Sequence, residues 1–142
     1  LADRSPEHMQ AGALNAHEVL KAYIEAKLDE YDLNISDVAI VGFSQGTMMA
    51  LYTMPKLKKA CAGVLGFSGR ALIVPDSDAP QFPICAIHGT TDEIVPFESL
   101  KHLEECFAGW DVKTHARPNL GHGIDNEGLK TGQNFLKKCL NS

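Results

Sequence analysis

Hydrophobic residues recur along this chain at two spacings, and each spacing predicts one kind of element. Over residues 5–31 the apolar positions are three and four residues apart, which is typical of one face of a helix. Ser5 and Pro6 suit the beginning of that helix, as an N-cap and a first-turn residue. The apolar face comprises Ala13, Ala16, Leu20, Ile24, Leu28 and Tyr31. We expect solvent exposure for Lys21, Glu25, Asp29 and Glu30.

Short apolar runs rich in β-branched residues predict four strands, over 38–41, 61–67, 84–88 and 112–116. The first run is apolar at every position, so we expect it to be buried on both faces. Helical periodicity returns over 47–54, 96–108 and 124–140. Residues 68–83 contain three prolines and two aspartates, and we predict a loop there.

Strand and helix patterns therefore alternate along the chain. This order predicts an α/β fold with a mostly parallel sheet and helices on both faces. The chain has 142 residues and no Pro- or Gly-rich linker, which favours one domain.

Composition excludes several classes of partner. The net charge is −5, which argues against nucleic acid or an anionic membrane surface, because both require clustered positive charge. No apolar run approaches the roughly 18 residues that a membrane span needs, so we expect no stable membrane insertion.

The four cysteines lack the spacing of a metal or redox site. They are Cys61, Cys85, Cys106 and Cys139. We predict reduced structural thiols, which favours a reducing compartment such as the cytoplasm. We expect neither a metal nor an organic cofactor.

A G-x-S-x-G sequence lies between the first predicted strand and the helix that follows it. It runs from Gly42 to Gly46, with Ser44 at its centre. We predict a strained turn that exposes the Ser44 hydroxyl as a nucleophile, with glycines two residues before and after it so that the backbones pass closely. The Gln45 amide would lie at a helix N-terminus, where it can stabilise an oxyanion.

The remaining members of a serine triad should follow in the order acid, then histidine. Asp92 follows the third predicted strand, and His122 follows the fourth, between Gly121 and Gly123. Open α/β sheets place their sites beyond the carboxyl ends of the strands. We therefore predict that Asp92 is the acid and His122 the base.

Other carboxylates favour other roles. Asp76 and Asp78 lie in the Pro-rich loop before the third strand, where we expect them in solvent. Glu93 adjoins Asp92 and is the alternative acid. Asp125 suits the N-cap of the last helix.

The other histidines also favour roles outside catalysis. His8, His17 and His102 fall on predicted helices among polar residues, and we expect them in solvent. His88 and His115 fall at the end of one strand and inside another, so we predict structural roles for both.

Four motifs, in their order along the chain, resemble those of one family. VAIVGFSQGTMMALYT, VLGFSG, AIHGTTDEIVP and NLGHGI resemble the carboxylesterase/acyl-protein thioesterase (phospholipase/carboxylesterase) family of α/β-hydrolases, especially its bacterial carboxylesterases. The resemblance implies an α/β-hydrolase fold that uses Ser44, Asp92 and His122. It also implies that the substrate pocket is bordered by Ser68, Leu72, Ile94 and Val95.

The chain departs from that family at its beginning. Family members begin with a strand meander and a His-Gly loop that donates the second oxyanion amide, and this sequence has neither. Residues 1–142 are therefore predicted to be the C-terminal two-thirds of a single α/β-hydrolase domain, lacking the N-terminal strands. We expect association with that missing N-terminal segment, or a homodimer.

The resemblance implies a serine hydrolase that cleaves short- to medium-chain carboxylic esters through an acyl-enzyme intermediate. One alternative is an acyl-protein thioesterase or lysophospholipase. Another is a catalytically dead hydrolase fragment that acts as a binding module through its sheet edge. Loss of one oxyanion donor typically costs about 10²–10³ in rate, so we expect weak activity from the 142-residue chain alone.

Overall fold

Helices and strands alternate in the computed structural model, which describes the backbone of residues 6–141 and the side chains of residues 12–141. The helices are α1 (Pro6–Tyr31), α2 (Gln45–Thr53), α3 (Ser99–Cys106) and α4 (Asn126–Leu140). The strands are β1 (Ala39–Phe43), β2 (Gly63–Phe67), β3 (Ile84–Gly89) and β4 (Val112–Arg117). Residues 68–83 contain neither helix nor strand, so the predicted loop is confirmed.

The strands of the described chain form one parallel sheet in the order β1-β2-β3-β4. The register pairs Val41 with Leu65, and Ile87 with His115. Because all the strands run in one direction, their carboxyl ends meet at the same edge of the sheet. The loops after β1, β2, β3 and β4 therefore lie side by side.

Helices cover both faces of the sheet, as predicted. On one face α1, α2 and α3 enclose the larger core, which includes Ile24, Leu51, Met54, Leu103 and Phe107. On the other face α4 packs Phe135 and Leu136 against Leu65, Phe67, Cys85 and Ile87. The two sets of strand residues alternate along β2 and β3, as side chains on opposite faces of a strand must.

The prediction that the first strand is buried on both faces is wrong. Val41 is 56% exposed and Phe43 is 42% exposed. β1 is an edge strand in the described chain, and α4 packs mainly over β2 and β3. One apolar face of β1 is therefore left uncovered by the described residues.

Two side chains of α1 differ from their predicted positions. Tyr31 is 63% exposed because it lies in the last turn, where its ring is near Lys27 Nζ rather than the core. His17 is half-buried because α1 packs against α2, which places His17 Nδ1 3.1 Å from Thr53 Oγ1. The solvent exposure predicted for Lys21, Glu25, Asp29 and Glu30 is confirmed. Ser5 and the His8 side chain lie outside the described residues.

Cys61, Cys85 and Cys106 are buried free thiols, as predicted. Burial raises the pKa of Cys61 and of Cys85 to about 11. Cys139 is half-buried. In the part of the chain that the structure describes, the helices are too short or too polar to cross a membrane.

Candidate active site

Ser44 lies in a sharp turn between β1 and α2. Its backbone has φ 54° and ψ −114°, a conformation that non-glycine residues rarely adopt and that stores strain. The turn is held by a hydrogen bond from the Ser44 amide to the Phe67 carbonyl, 2.8 Å long, and by one from Thr47 Oγ1 to the same oxygen. The predicted strained turn is confirmed, and α2 begins at Gln45, directly after the serine.

The two glycines of the motif differ in what surrounds them. A Cβ atom at Gly42 would meet the backbone of Gly46 and Thr47 at 2.5–2.8 Å, so only glycine fits there. A Cβ atom at Gly46 would meet nothing within 4 Å among the described residues, its own helix backbone aside. The predicted crowding is confirmed for Gly42 and is wrong for Gly46, because Gly46 lies in α2 and a side chain there would enter open space among the described residues.

The Asp92 carboxylate is buried and surrounded by donors. Oδ1 accepts hydrogen bonds from the backbone amides of Ile94 and Val95, each 2.9 Å long. Oδ2 lies 2.9 Å from His122 Nδ1. Burial alone would raise the pKa of Asp92, but the hydrogen bonds from the imidazole and the two amides outweigh it and hold the pKa below its usual value. Asp92 is therefore ionised at neutral pH.

The contact with Asp92 fixes the tautomer of His122. A carboxylate only accepts hydrogen bonds, so His122 Nδ1 carries a proton, and in the neutral imidazole Nε2 keeps its lone pair. The His122 side chain is 20% exposed, and the ring of Phe43 lies against it with centroids 4.9 Å apart. This arrangement leaves Nε2 able to accept a proton, as a general base must.

The loop that carries His122 is attached to the loop that carries Asp92. The Thr91 amide donates to the Leu120 carbonyl, and the Asn119 amide donates to Thr90 Oγ1, each over 3.0 Å. Gly89 permits this approach, since a Cβ atom there would collide with the carbonyl oxygens of Leu120 and Gly121. By contrast, a Cβ atom at Gly121 would meet nothing within 4 Å in the described structure.

Ser68 contributes to the position of the same histidine loop. It is 1% exposed, has φ 53°, and donates its hydroxyl to the Gly123 carbonyl over 3.2 Å. Of the other predicted pocket residues, Leu72 is half-buried, Ile94 is 50% exposed and Val95 is 3% exposed. Substrate contact by these four residues stays a prediction.

The structure joins Asp92 to His122, whereas within residues 6–141 no hydrogen bond joins Ser44 Oγ to His122. Hydrogen bonds between nucleophile and base are often long or poorly aligned without a bound substrate. All three loops nevertheless begin at the carboxyl ends of one parallel sheet. The Asp92 and His122 loops follow the neighbouring strands β3 and β4, and the Ser44 turn follows β1, with β2 between β1 and β3.

The other carboxylates occupy the predicted kinds of position. Asp76, Asp78 and Glu93 are exposed. Asp125 caps α4 by accepting a hydrogen bond from the Gly128 amide, and it also binds Arg117 at 2.9 Å. Among the described residues, no group of three or more His, Cys, Asp and Glu side chains could hold a metal ion.

Two side chains beside the site were missed by sequence reasoning. Phe43 is the variable position before Ser44, and its contact with His122 is not encoded in the motif. His88 is buried as predicted for a structural residue, yet its Nε2 lies 3.3 Å from Asp92 Oδ2. His102 is exposed and His115 is half-buried, both away from these contacts.

A parallel sheet with helices on both faces, and with a serine turn, a buried aspartate and a histidine in that order on loops at the carboxyl ends of its strands, defines an α/β-hydrolase fold. Residues 1–140 match the family model described as phospholipase/carboxylesterase. The chain belongs to this family.

Known relatives agree with this assignment. Acyl-protein thioesterase 1 of Debaryomyces hansenii is 33% identical over 134 residues, which cover 87% of this chain and 57% of that protein. The crystal structure of esterase PE8 superposes with a TM-score of 0.88 at 33% identity, over 99% of this chain and 67% of that one. The crystal structure of Arabidopsis thaliana SOBER1 gives a TM-score of 0.76 at 31% identity, over 92% and 65% of the two chains. The chain spans less than two thirds of the length of the curated relatives it matches.

Proposed function

We propose that this chain carries the catalytic residues of a serine carboxylesterase. The observation that supports the proposal most directly is the hydrogen bond from His122 Nδ1 to the buried Asp92, while the ring of Phe43, the residue before the strained Ser44, lies against His122. A catalytically dead binding module, which is the alternative, would not require a histidine oriented by the buried Asp92 carboxylate.

In the proposed reaction, Ser44 Oγ attacks the acyl carbonyl carbon while His122 Nε2 removes its proton. Asp92 holds the imidazole in the required tautomer and stabilises its charged form. The Gln45 amide, at the N-terminus of α2, donates to the developing oxyanion. His122 then returns the proton to the leaving alcohol, which leaves the acyl group on Ser44.

Hydrolysis of the acyl-enzyme completes the cycle. Water gives a proton to His122 Nε2 and attacks the acyl carbon, and the acid leaves as Ser44 recovers its proton. The reaction requires no metal or organic cofactor. The family resemblance implies that a second oxyanion donor comes from an N-terminal loop, so we expect residues 1–142 alone to be slower by about 10²–10³.

The substrates we propose are short- to medium-chain carboxylic esters. Ile94 offers an exposed apolar side chain two residues after the acid, with Leu72, Val95 and Ser68 as the other pocket residues. Thioesters are the second candidate, because the Debaryomyces hansenii relative is named an acyl-protein thioesterase. The same acyl-enzyme chemistry serves both classes.

We further propose that residues 1–142 form the C-terminal two-thirds of one domain. The exposed apolar side chains of the β1 edge, Val41 and Phe43, support pairing with an N-terminal segment of the same polypeptide. A homodimer through that edge is the alternative. The buried thiols Cys61, Cys85 and Cys106 favour the cytoplasm.

An intact-mass spectrum before and after a fluorophosphonate probe tests the proposed function. We expect one adduct on the wild-type chain, none on Ser44→Ala, and an unchanged adduct on Ser36→Ala, an exposed control. A wild-type chain without an adduct, or an adduct that persists in Ser44→Ala, would contradict the proposal. Parallel hydrolysis of a p-nitrophenyl ester and of an S-acylated peptide separates the two substrate classes.

A further inference from the structure

The described chain buries a second imidazole beside the acid of the proposed triad. His88 is 2% exposed, at the carboxyl end of β3 and four residues before Asp92. Its Nε2 lies 2.8 Å from the Val95 carbonyl oxygen and 3.3 Å from Asp92 Oδ2. A carbonyl and an ionised carboxylate can only accept hydrogen bonds, so Nε2 must carry the proton.

Val95 connects His88 to the acid through both ends of one residue. Its amide donates to Asp92 Oδ1 over 2.9 Å, and its carbonyl accepts from His88. The His88 imidazole therefore holds Val95 in place, and the Val95 N–H in turn orients Asp92 Oδ1. The Nε2–H group of His88 also lies near the other carboxylate oxygen, Oδ2, which accepts a hydrogen bond from His122.

The imidazole has little freedom to move. Its strand is hydrogen-bonded to both β2 and β4, and the ring lies edge-on to Phe97 with centroids 6.1 Å apart. A side chain on a rigid element holds a partner more accurately than one on a loop. The Asp92 loop, which has no regular structure, thereby acquires a rigid anchor.

We propose that His88 is a positioning residue that sets the orientation of Asp92 toward His122. It does so by donating its Nε2 proton to the Val95 carbonyl and by placing that N–H beside Asp92 Oδ2. The inference rests on the proposed function for its catalytic meaning. The positional claim itself concerns only the Asp92–His122 hydrogen bond.

The test compares three variants of the full chain. His88→Leu removes the donor at similar bulk, and His88→Gln keeps an N–H group near the position of Nε2. His115→Leu is the control, because His115 is one strand away, pairs with Ile87, and so lies on the opposite face of the sheet from His88. If His88→Leu fails to fold, His88→Asn replaces it, since its shorter amide does not reach the Val95 carbonyl.

Two measurements separate positioning from simple stability. The first is the strongly downfield proton resonance of His122 Nδ1, assigned by its absence in His122→Gln. The second is the second-order rate of fluorophosphonate labelling of Ser44, compared among variants with intact thermal unfolding transitions. We expect His88→Leu to lose the resonance and to label more slowly by up to about 10²-fold. His88→Gln and His115→Leu should keep both.

The outcomes distinguish this inference from the proposed function. A wild-type chain that keeps the resonance but does not react with the probe would contradict the proposed function, and the resonance in the His88 variants would still test the positional claim. A folded His88→Leu chain with the resonance and labelling rate of wild type would overturn the inference and leave the function intact. A wild-type chain without the resonance would also overturn it.

Discussion

Asp92 is the residue whose surroundings are most closely specified at the site. A buried carboxylate without donors is strongly disfavoured, and here two backbone amides and His122 satisfy its oxygens while His88 lies nearby. The donors come from both sides of the carboxylate, so its two oxygens have distinct roles. Oδ1 accepts hydrogen bonds from two backbone amides of the local turn, and Oδ2 accepts one from the His122 imidazole.

Replacement of Asp92 by asparagine tests this division of roles. The amide is isosteric, but an NH₂ group facing His122 would favour the wrong imidazole tautomer. We expect Asp92→Asn to reduce the labelling rate of Ser44 or the esterase kcat by up to about 10⁴-fold. Asp76→Asn, at an exposed carboxylate, is the control and should leave both unchanged. A fully active Asp92→Asn chain would contradict the role of Asp92 and would favour Glu93, the alternative acid.

Asp92 should also contribute to the acid sensitivity of the fold. Its pKa is lower in the folded chain than the usual value, so its ionised form stabilises the folded state. This stabilisation is present above the usual carboxyl pKa and is lost as the pH falls from about 5 through the folded pKa. Urea unfolding at stepped pH should therefore show a shallower acid decline for Asp92→Asn than for wild type or Asp76→Asn. Parallel declines in all three would refute the linkage.

At the scale of elements, the candidate catalytic residues lie on loops, and the strands determine where each loop begins. The Asp92 and His122 loops follow the neighbouring strands β3 and β4, and backbone hydrogen bonds join them directly. Gly89 is the last residue of β3, and the carbonyl groups of Leu120 and Gly121 in the histidine loop pass close to it. The positions of the acid and base are therefore coupled through these hydrogen bonds and through the close approach at Gly89.

Gly89→Ala should displace the histidine loop. The new methyl group would meet the carbonyls of Leu120 and Gly121, which are backbone atoms and cannot rotate away. We expect a cost in stability of about 1–3 kcal/mol and a loss of up to about 10²-fold in Ser44 labelling rate. Thermal unfolding and probe kinetics measure the two effects. Gly121→Ala is the matched control, since its methyl group meets open space, and equal behaviour of the two variants would exclude the coupling.

At the scale of the whole molecule, one edge of the sheet is incomplete within the described residues. β1 presents Val41 and Phe43 to solvent, and its outer backbone groups face no neighbouring strand there. An exposed apolar edge strand is a template for pairing with another chain. The isolated chain should therefore self-associate as its concentration rises.

Val41→Lys should reduce that self-association, because a charge on an edge strand opposes pairing. The side chain is 56% exposed, so the fold should tolerate the substitution. Sedimentation velocity over a range of concentrations is the measurement. Val74→Lys, at a 70% exposed valine in the loop over 68–83, adds the same charge away from the edge and should associate like wild type. Association unaffected by Val41→Lys would place the contact on another surface.

Much of the fold was predictable because its signals are local in sequence. The strand–turn–helix context of Ser44 follows from an apolar run, a G-x-S-x-G turn and a helical pattern within a few residues of one another. The alternation of strands and helices fixed the parallel sheet, and that in turn brought the loops after β3 and β4 to one edge. Asp92 and His122 are therefore predictable from the sequence as the acid and base candidates.

The sequence by itself determined the class of fold, the strained serine turn and the order of the candidate triad, since each depends on short-range backbone preferences. Only the tertiary structure decided which faces are covered and which side chains meet across the chain. Ser68 contacts Gly123 from 55 residues away, and Phe43 contacts the ring of His122. His88 is only four residues from Asp92, but its contact depends on the path of the loop back to Val95. Such contacts depend on the packing of distant segments, which no local pattern encodes.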